Sequence, residues 1–281
     1  MTDVQRLLAK LDSLYHDQTK HAVYQDVPDF VREALGYAVA TNEQWRGVGS
    51  RWEYMRIHLD FTHERVLDVG ANTGFFTLSL AKAHPTAVCT ALEGNSNHAE
   101  FIQEVAAYFN LHNVRILRQY LDFAALEQLG LYDTVLLNNV LHHAGVDFDR
   151  GLVPTRQELF GYLVDYLGKL KYHCRRLVFQ MGYNWGGNKQ QPVVTLVDDP
   201  GKCLYVSRAL RQAGWNLAAL ALPYRIDGRM PVEHRDAPKD VVDAANAGDE
   251  ILLRKRIEQT LDPAVPEFSE FYRRPIFVCT H

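Results

Sequence analysis

Residues 66–76 read Val66-Leu67-Asp68-Val69-Gly70-Ala71-Asn72-Thr73-Gly74-Phe75-Phe76, and no other stretch constrains the fold so tightly. A β-branched apolar run delivers an acid, then a glycine turn, and the turn opens into Phe75 to Ala81, apolar at helical spacing. Strand, glycine turn and helix are how a doubly wound α/β domain presents backbone N–H groups to a ligand. A dinucleotide fingerprint requires G-x-G-x-x-G, whose second glycine lets the main chain approach a pyrophosphate. Here the spacing is G-x-x-x-G with Asn72 inside it, which disfavours a nicotinamide enzyme.

The rest of the chain supports an α/β reading. Strand and helix patterns alternate from about residue 60, the signature of a parallel sheet with crossover helices. Strands are expected at 65–69, 87–92, 114–118, 134–138, 177–181, 216–222 and 275–279. Helices are expected at 75–83, 99–110, 155–172 and 204–213. Three apolar-periodic stretches precede the first strand, so residues 1–60 read as a helical N-terminal cap. Residues 225–274 separate the last two strands, with a helical stretch at 244–260. An insertion that long is more often functional than idle.

Composition narrows the classes. With 281 residues, 47% apolar and 23% charged, the chain can build an ordinary globular core. The formal net charge of −4 argues against a dedicated nucleic-acid or anionic-membrane surface. Cys89, Cys174, Cys203 and Cys279 form no C-x-x-C pair, so neither metal-ligand spacing nor a disulfide framework is expected. No apolar h-region or membrane-length apolar run is present, and the cytoplasm is the expected compartment.

Four segments, in order, carry a family resemblance. Asp68 to Phe75 is the first. The second is Cys89-Thr90-Ala91-Leu92-Glu93-Gly94-Asn95, an apolar strand ending at an acid 23 residues beyond Gly70. That is near the offset at which an acid reaches ribose hydroxyls in nucleoside-binding folds, and a carboxylate can accept from both. Third comes Arg118-Gln119-Tyr120-Leu121-Asp122, and fourth Tyr132 through Asn138 to Val140-Leu141-His142-His143. Together they resemble class I S-adenosylmethionine-dependent methyltransferases, and the D-x-G-A-N-x-G variant is similar to one in bacterial enzymes that methylate small-molecule hydroxyls. The resemblance implies a seven-stranded, mostly parallel Rossmann-like sheet over 61–281, with S-adenosylmethionine as cofactor. It places Asp68, Gly70, Ala71, Asn72, Gly74 and Phe75 under the methionine half, Glu93 and Gly94 at the ribose, Leu121 and Asp122 at the adenine, and Asn138 at the end of the fourth strand. Asp122 reads equally well as a helix N-cap.

Methyl transfer to a hydroxyl needs alignment and a proton acceptor, and His142 or His143 suits that task near neutral pH. A helix-cap or core histidine is the alternative. Tyr183, Asn184 and Trp185, in an aromatic and amide-rich loop, and Trp45 and Arg46, in the cap, are candidates for binding the acceptor. No metal site is expected. The expected partner is a small-molecule methyl acceptor such as a sugar or secondary metabolite, with no nucleic acid favoured, no membrane, and a homo-oligomer left open. The alternatives are a tRNA-modifying methyltransferase or related alkyl transferase, and a non-catalytic module that keeps the cofactor fold.

Overall fold

The computed structural model describes residues 3–16, 25–37, 39, 48–195, 198–226 and 232–281. Among the described residues the fold is α/β with eight strands, mostly parallel, and the chain divides into two compact units, Met1–Tyr120 and Leu121–His281.

In the first unit, β1 (Arg65–Val69), β2 (Val88–Leu92) and β3 (Val114–Leu117) pair in parallel, in the order β3-β2-β1. Val66 lies opposite Cys89, and Thr90 opposite Arg115. The crossover helices α4 (Phe75–Ala83) and α5 (Ser96–Tyr108) follow β1 and β2. Helix α5 begins three residues before the expected position because Asn95 caps it, its side chain accepting the Asn97 and His98 amides at 2.8 and 3.3 Å. Before the sheet come α1 (Asp3–Tyr15), α2 (Asp29–Leu35) and α3 (Val48–His58). Leu11, Leu14 and Tyr15 of α1 and Val31 and Leu35 of α2 join Phe101, Ile102 and Val105 of α5 in one apolar cluster. Lys10 adds ion pairs to Glu100 and Glu104 at the rim, each at 2.9 Å.

In the second unit, β4 (Tyr132–Asn138) and β5 (Cys174–Gln180) are parallel. Strand β8 (Ile276–Thr280) lies antiparallel between β5 and β6 (Asn216–Arg225). An eighth strand, β7 (Val232–Asp236), pairs with β6 beyond the seven expected. Val-Glu-His-Arg-Asp has too little apolar alternation to read as a strand, and only Val232 and His234 are buried.

Helix α6 (Leu159–Leu170) is preceded by a 3-10 turn, Arg156–Glu158, entered through a Thr155–Glu158 capping box. Helix α7 (Asp199–Gln212) starts earlier than expected because Asp198 accepts the Gly201 amide at 2.8 Å and Pro200 sits in the first turn. The stretch 244–260 is two helices, α8 (Lys239–Ala247) and α9 (Glu250–Thr260). Left-handed Gly248 ends the first, and Asp249 caps the second through the Leu252 amide at 2.9 Å. Among the described residues no helix is long and apolar enough to cross a membrane.

Candidate active site

The loop after β1 is held by short backbone bonds. Gly70 and Ala71 both donate to the Leu92 carbonyl, at 2.9 and 3.1 Å, which fixes the turn against the end of β2. Gly70, Asn72 and Gly74 all take left-handed backbone conformations (φ +67°, +52° and +81°). Asparagine is one of the few residues with a side chain that tolerates this. The Asn72 side-chain oxygen caps the Thr73 amide at 2.9 Å. Phe75 is buried, and its amide reaches Gln25 Oε1 at 3.4 Å; the Gln25 carbonyl in turn accepts the buried Tyr15 hydroxyl. The Thr73 hydroxyl is buried with no partner.

Glu93 ties this loop to the next. Its Oε2 accepts the Asn72 amide at 2.7 Å and its Oε1 the Asn95 amide at 2.8 Å, while its own amide donates to Leu117. Asp68 lies deeper and accepts the Thr77 hydroxyl at 2.8 Å. Burial pushes its carboxyl up to about 6, the Thr77 bonds pulling the other way and the Glu93 charge adding to the rise. The Tyr120 ring packs over Gly94. These cofactor candidates, Asp68 to Phe75 with Glu93 and Gly94, all lie in the first unit.

Leu121, Asp122 and Asn138 lie in the second. The Leu121 carbonyl accepts the Tyr166 hydroxyl at 2.9 Å, and its side chain is buried. Asp122 accepts the Ala125 amide at 2.8 Å, at the start of the 3-10 turn Ala125–Gln128, whose N-cap residue is Ala124. Asn138 ends β4 with a buried amide nitrogen that has no partner.

His142 and His143 sit in a 3-10 turn, Leu141–His143, with ring centroids 4.1 Å apart. His142 is buried and its Nδ1 accepts the Gly182 amide at 3.2 Å. A Cβ on Gly182 would stand 2.6 Å from that ring, so only glycine allows the contact. His143 Nδ1 lies 2.7 Å from Asp147 Oδ2.

The loop after β5 is bound down rather than open. Tyr183 is 2% exposed, with the Lys202 ammonium 5.1 Å over its ring and a hydroxyl that finds no partner. Asn184 donates to Glu270 Oε2 at 3.0 Å, and the Trp185 indole donates to the Ala144 carbonyl at 2.7 Å. Trp45 and Arg46 lie outside the described residues.

Sequence reasoning missed the charged cluster that holds this loop. Glu270 Oε1 accepts the Tyr183 amide at 3.0 Å and faces Arg274 Nε at 3.3 Å. Buried Arg274 also donates to Asn139 Oδ1 at 2.8 Å, and Asn139 is paired to Gln180 at 2.9 Å. Burial works against the Glu270 charge, yet Arg274, the Tyr183 amide and Lys202 outweigh it and hold the carboxyl below its usual range. Nearby, Asp199 takes a two-point contact from Arg273 (2.9 and 2.8 Å) and pairs with buried Lys202 at 3.3 Å. Only tertiary packing brings these residues together. The one local signal was the i,i+4 spacing of Glu270 and Arg274. Among the described residues no cluster of His, Cys, Asp and Glu could hold a metal ion.

Comparison with known proteins adds a likeness to one family. Residues 53–141 match the model of the rRNA small subunit methyltransferase G family. No curated protein matches the chain. Among solved structures, the chain resembles TrmN from Thermus thermophilus at 16% identity, covering 85% of this chain and 50% of that one, with a TM-score of 0.48. A precorrin-6y C5,15-methyltransferase from Geobacter metallireducens matches at 13% identity, covering 88% and 94%, with a TM-score of 0.45. The WbdD structure matches at 16% identity, covering 83% and 46%, with a TM-score of 0.49. Likenesses this distant carry no inference about substrate.

The family match corrects one expectation, that nucleic acid is not a favoured partner: the model that fits is that of an rRNA methyltransferase. The net charge of −4 misled because it sums the whole surface, whereas phosphate contacts depend on where cations cluster. The matched span holds the G-x-x-x-G loop, the Glu93 bridge and β4, the segments on which the sequence resemblance to class I S-adenosylmethionine-dependent methyltransferases also rests.

Proposed function

We propose that the protein transfers a methyl group from S-adenosylmethionine to RNA. The match of residues 53–141 to an rRNA methyltransferase model carries this reading.

The chain's residues fit the cofactor. The unpartnered, buried Thr73 hydroxyl, inside a loop with three left-handed residues, offers a polar contact where the methionine carboxylate and ammonium would lie. The Asp68 carboxyl lies at the base of that loop. Glu93 would accept the ribose hydroxyls; a carboxylate offers about four acceptor sites, so bracing two amides is compatible with this role. Leu121 and Asp122 stay candidates for the adenine on the sequence resemblance alone. The cofactor, when bound, supplies an electrophilic methyl on a sulfonium. The protein's part is to align the acceptor, exclude water and remove a proton where the acceptor has one. Asn138, at the end of β4, keeps a buried, unpartnered amide that could donate to a polar ligand group.

Radiolabelled S-adenosylmethionine, incubated with the protein, ribosomal RNA and a low-molecular-weight cell extract, tests the reading. Label should enter acid-precipitable RNA. Label confined to a small-molecule hydroxyl, the finer expectation from the sequence, sinks the RNA assignment. Binding without turnover on either fraction leaves a cofactor-fold module and sinks the enzyme.

A further inference from the structure

Where α6 ends and β5 opens, the chain reads Lys169-Leu170-Lys171-Tyr172-His173-Cys174-Arg175-Arg176, four cations and no acid in eight residues. The run lies at the start of the second unit's parallel strands, about 20 Å along β5 from Gln180. Backbone bonds close the turn. The Lys171, Tyr172 and His173 amides donate back to the Leu167, Lys169 and Leu170 carbonyls, at 3.2, 3.1 and 2.9 Å. The Tyr132 amide, which opens β4, donates to the His173 carbonyl at 2.8 Å.

Lys169 faces Glu127 at 2.9 Å, and Arg175 faces Asp133. Lys171 meets a neutral acceptor, the Gly214 carbonyl at 3.3 Å, and Arg176 donates to the Thr134 hydroxyl at 2.8 Å. Lys169 is 39% exposed and Arg175 78%, and ion pairs so open to water hold weakly, so a phosphate can take the place of either carboxylate. The negative end of the α6 dipole accounts for Lys169 and Lys171. It accounts neither for Arg175 and Arg176, which lie on β5, nor for Tyr172, whose side chain stands in solvent with 77% of the residue exposed. A ring in water flanked by cations matches what single-stranded nucleic acid needs: a base stacks on the ring and phosphates face the cations. A membrane surface would call for apolar side chains beside the ring, and the run's other apolar residues, Leu170 and Cys174, are buried. In a chain of net charge −4, a local concentration of cations is what steers a polyanion to one place.

We propose that the turn from α6 into β5 is a holding surface for single-stranded RNA, with Lys169, Lys171 and Arg175 against phosphates and the Tyr172 ring stacked on a base. This rests on the RNA reading above and deepens it. The surface takes no part in the chemical step; it lengthens the stay of the RNA on the protein.

Fluorescence anisotropy with a fluorescein-labelled, unstructured single-stranded RNA tests the surface on the full chain. Tyr172→Ala should weaken binding about tenfold, the loss expected for one stacked base, while Tyr172→Phe keeps wild-type affinity. Lys169→Ala, Lys171→Ala and Arg175→Ala combined should reduce the slope of log K against log salt by about two, at ~0.7 per phosphate contact. Melting temperature and S-adenosylhomocysteine affinity should stay close to wild type in each variant. In the labelling assay KM for RNA should rise with kcat unchanged. Wild-type affinity in Tyr172→Ala, or an unchanged salt slope in the triple variant, overturns the surface and leaves the RNA reading standing. Weaker RNA binding by both variants, with no label entering RNA in the wild type, keeps the surface and overturns the methyl-transfer reading. Binding to phosphatidylserine vesicles that the triple variant loses, with its RNA affinity unchanged, assigns the turn to a membrane and overturns the proposal.

Discussion

Glu93 accepts the Asn72 backbone amide at 2.7 Å, so the acid that ends β2 reaches into the turn that ends β1. With Asn95 on its other oxygen, one carboxylate links the two loops that would hold the methionine and ribose halves of the cofactor. Glu93→Gln replaces one acceptor by a donor that meets an N–H head-on. Hydrogen bonds to a charged group contribute about 1.5–3 kcal/mol each. The variant should bind S-adenosylhomocysteine at least tenfold more weakly by calorimetry, with a modest fall in melting temperature. Wild-type affinity in a folded variant places the ribose elsewhere.

Asp68 makes stability depend on pH in a direction opposite to most carboxylates. Its folded pKa is raised to about 6 from 3.8, chiefly by burial. Between those values the folded state binds more protons than the unfolded, so this group costs stability as pH rises through the window. About two pKa units correspond to about 3 kcal/mol, fully developed above pH 6. Asp68→Asn keeps an acceptor for Thr77 and removes the titration. Urea denaturation should show the variant gaining on wild type between pH 4 and 7, and the gain should level off above that. A constant difference across this range would show that Asp68 is not the group responsible.

Gly74 and Gly161 provide a matched pair of tests. Gly74 has φ +81°, and an added Cβ would stand 2.6 Å from Ile102 Cγ1. Gly161 sits on the exposed face of α6 with nothing within 4 Å. Gly74→Ala should destabilise by about 1–3 kcal/mol through backbone strain and crowding. Gly161→Ala should stabilise by about 0.5–1 kcal/mol, the ordinary helix preference. Thermal melts of both variants check the pair, and equal shifts would contradict the loop geometry.

How much of this was legible in the sequence follows from what each feature depends on. The turn at Gly70–Gly74 was readable because glycine spacing, an acid and a helical apolar run are all local. Strand β7 was not, because Glu233, Arg235 and Asp236 leave no apolar alternation and only pairing with β6 makes it a strand. The early start of α7 was present in the sequence as Asp198 before Pro200, a cap signal that the apolar pattern further on overshadowed. Glu270 and Arg274 carried no sequence signal beyond their i,i+4 spacing. Their partners, Asn139 and the Tyr183 amide, lie far from them in the chain. Likewise Asp147 could not be told from any loop acid until the turn set it against His143.

The pair of buried Arg274 and half-buried Glu270 gives the last prediction. Arg274 is 4% exposed and donates to Asn139 while facing Glu270, and Glu270 in turn holds the Tyr183 amide and the Asn184 side chain. Removing one partner of a buried ion pair leaves the other charge uncompensated, typically at a cost of about 3–5 kcal/mol. Replacing both by neutral groups of similar size costs much less. Arg274→Met should therefore be strongly destabilising, and Arg274→Met combined with Glu270→Gln should recover much of the loss. Because Glu270 anchors the loop that begins at Tyr183, the single variant should also show faster amide exchange at Tyr183 than the wild type does. Urea denaturation of the two single variants and the double variant gives the coupling energy directly. If the double variant is no more stable than Arg274→Met, the two charges do not depend on each other, and Asn139 rather than Glu270 is what keeps the guanidinium buried.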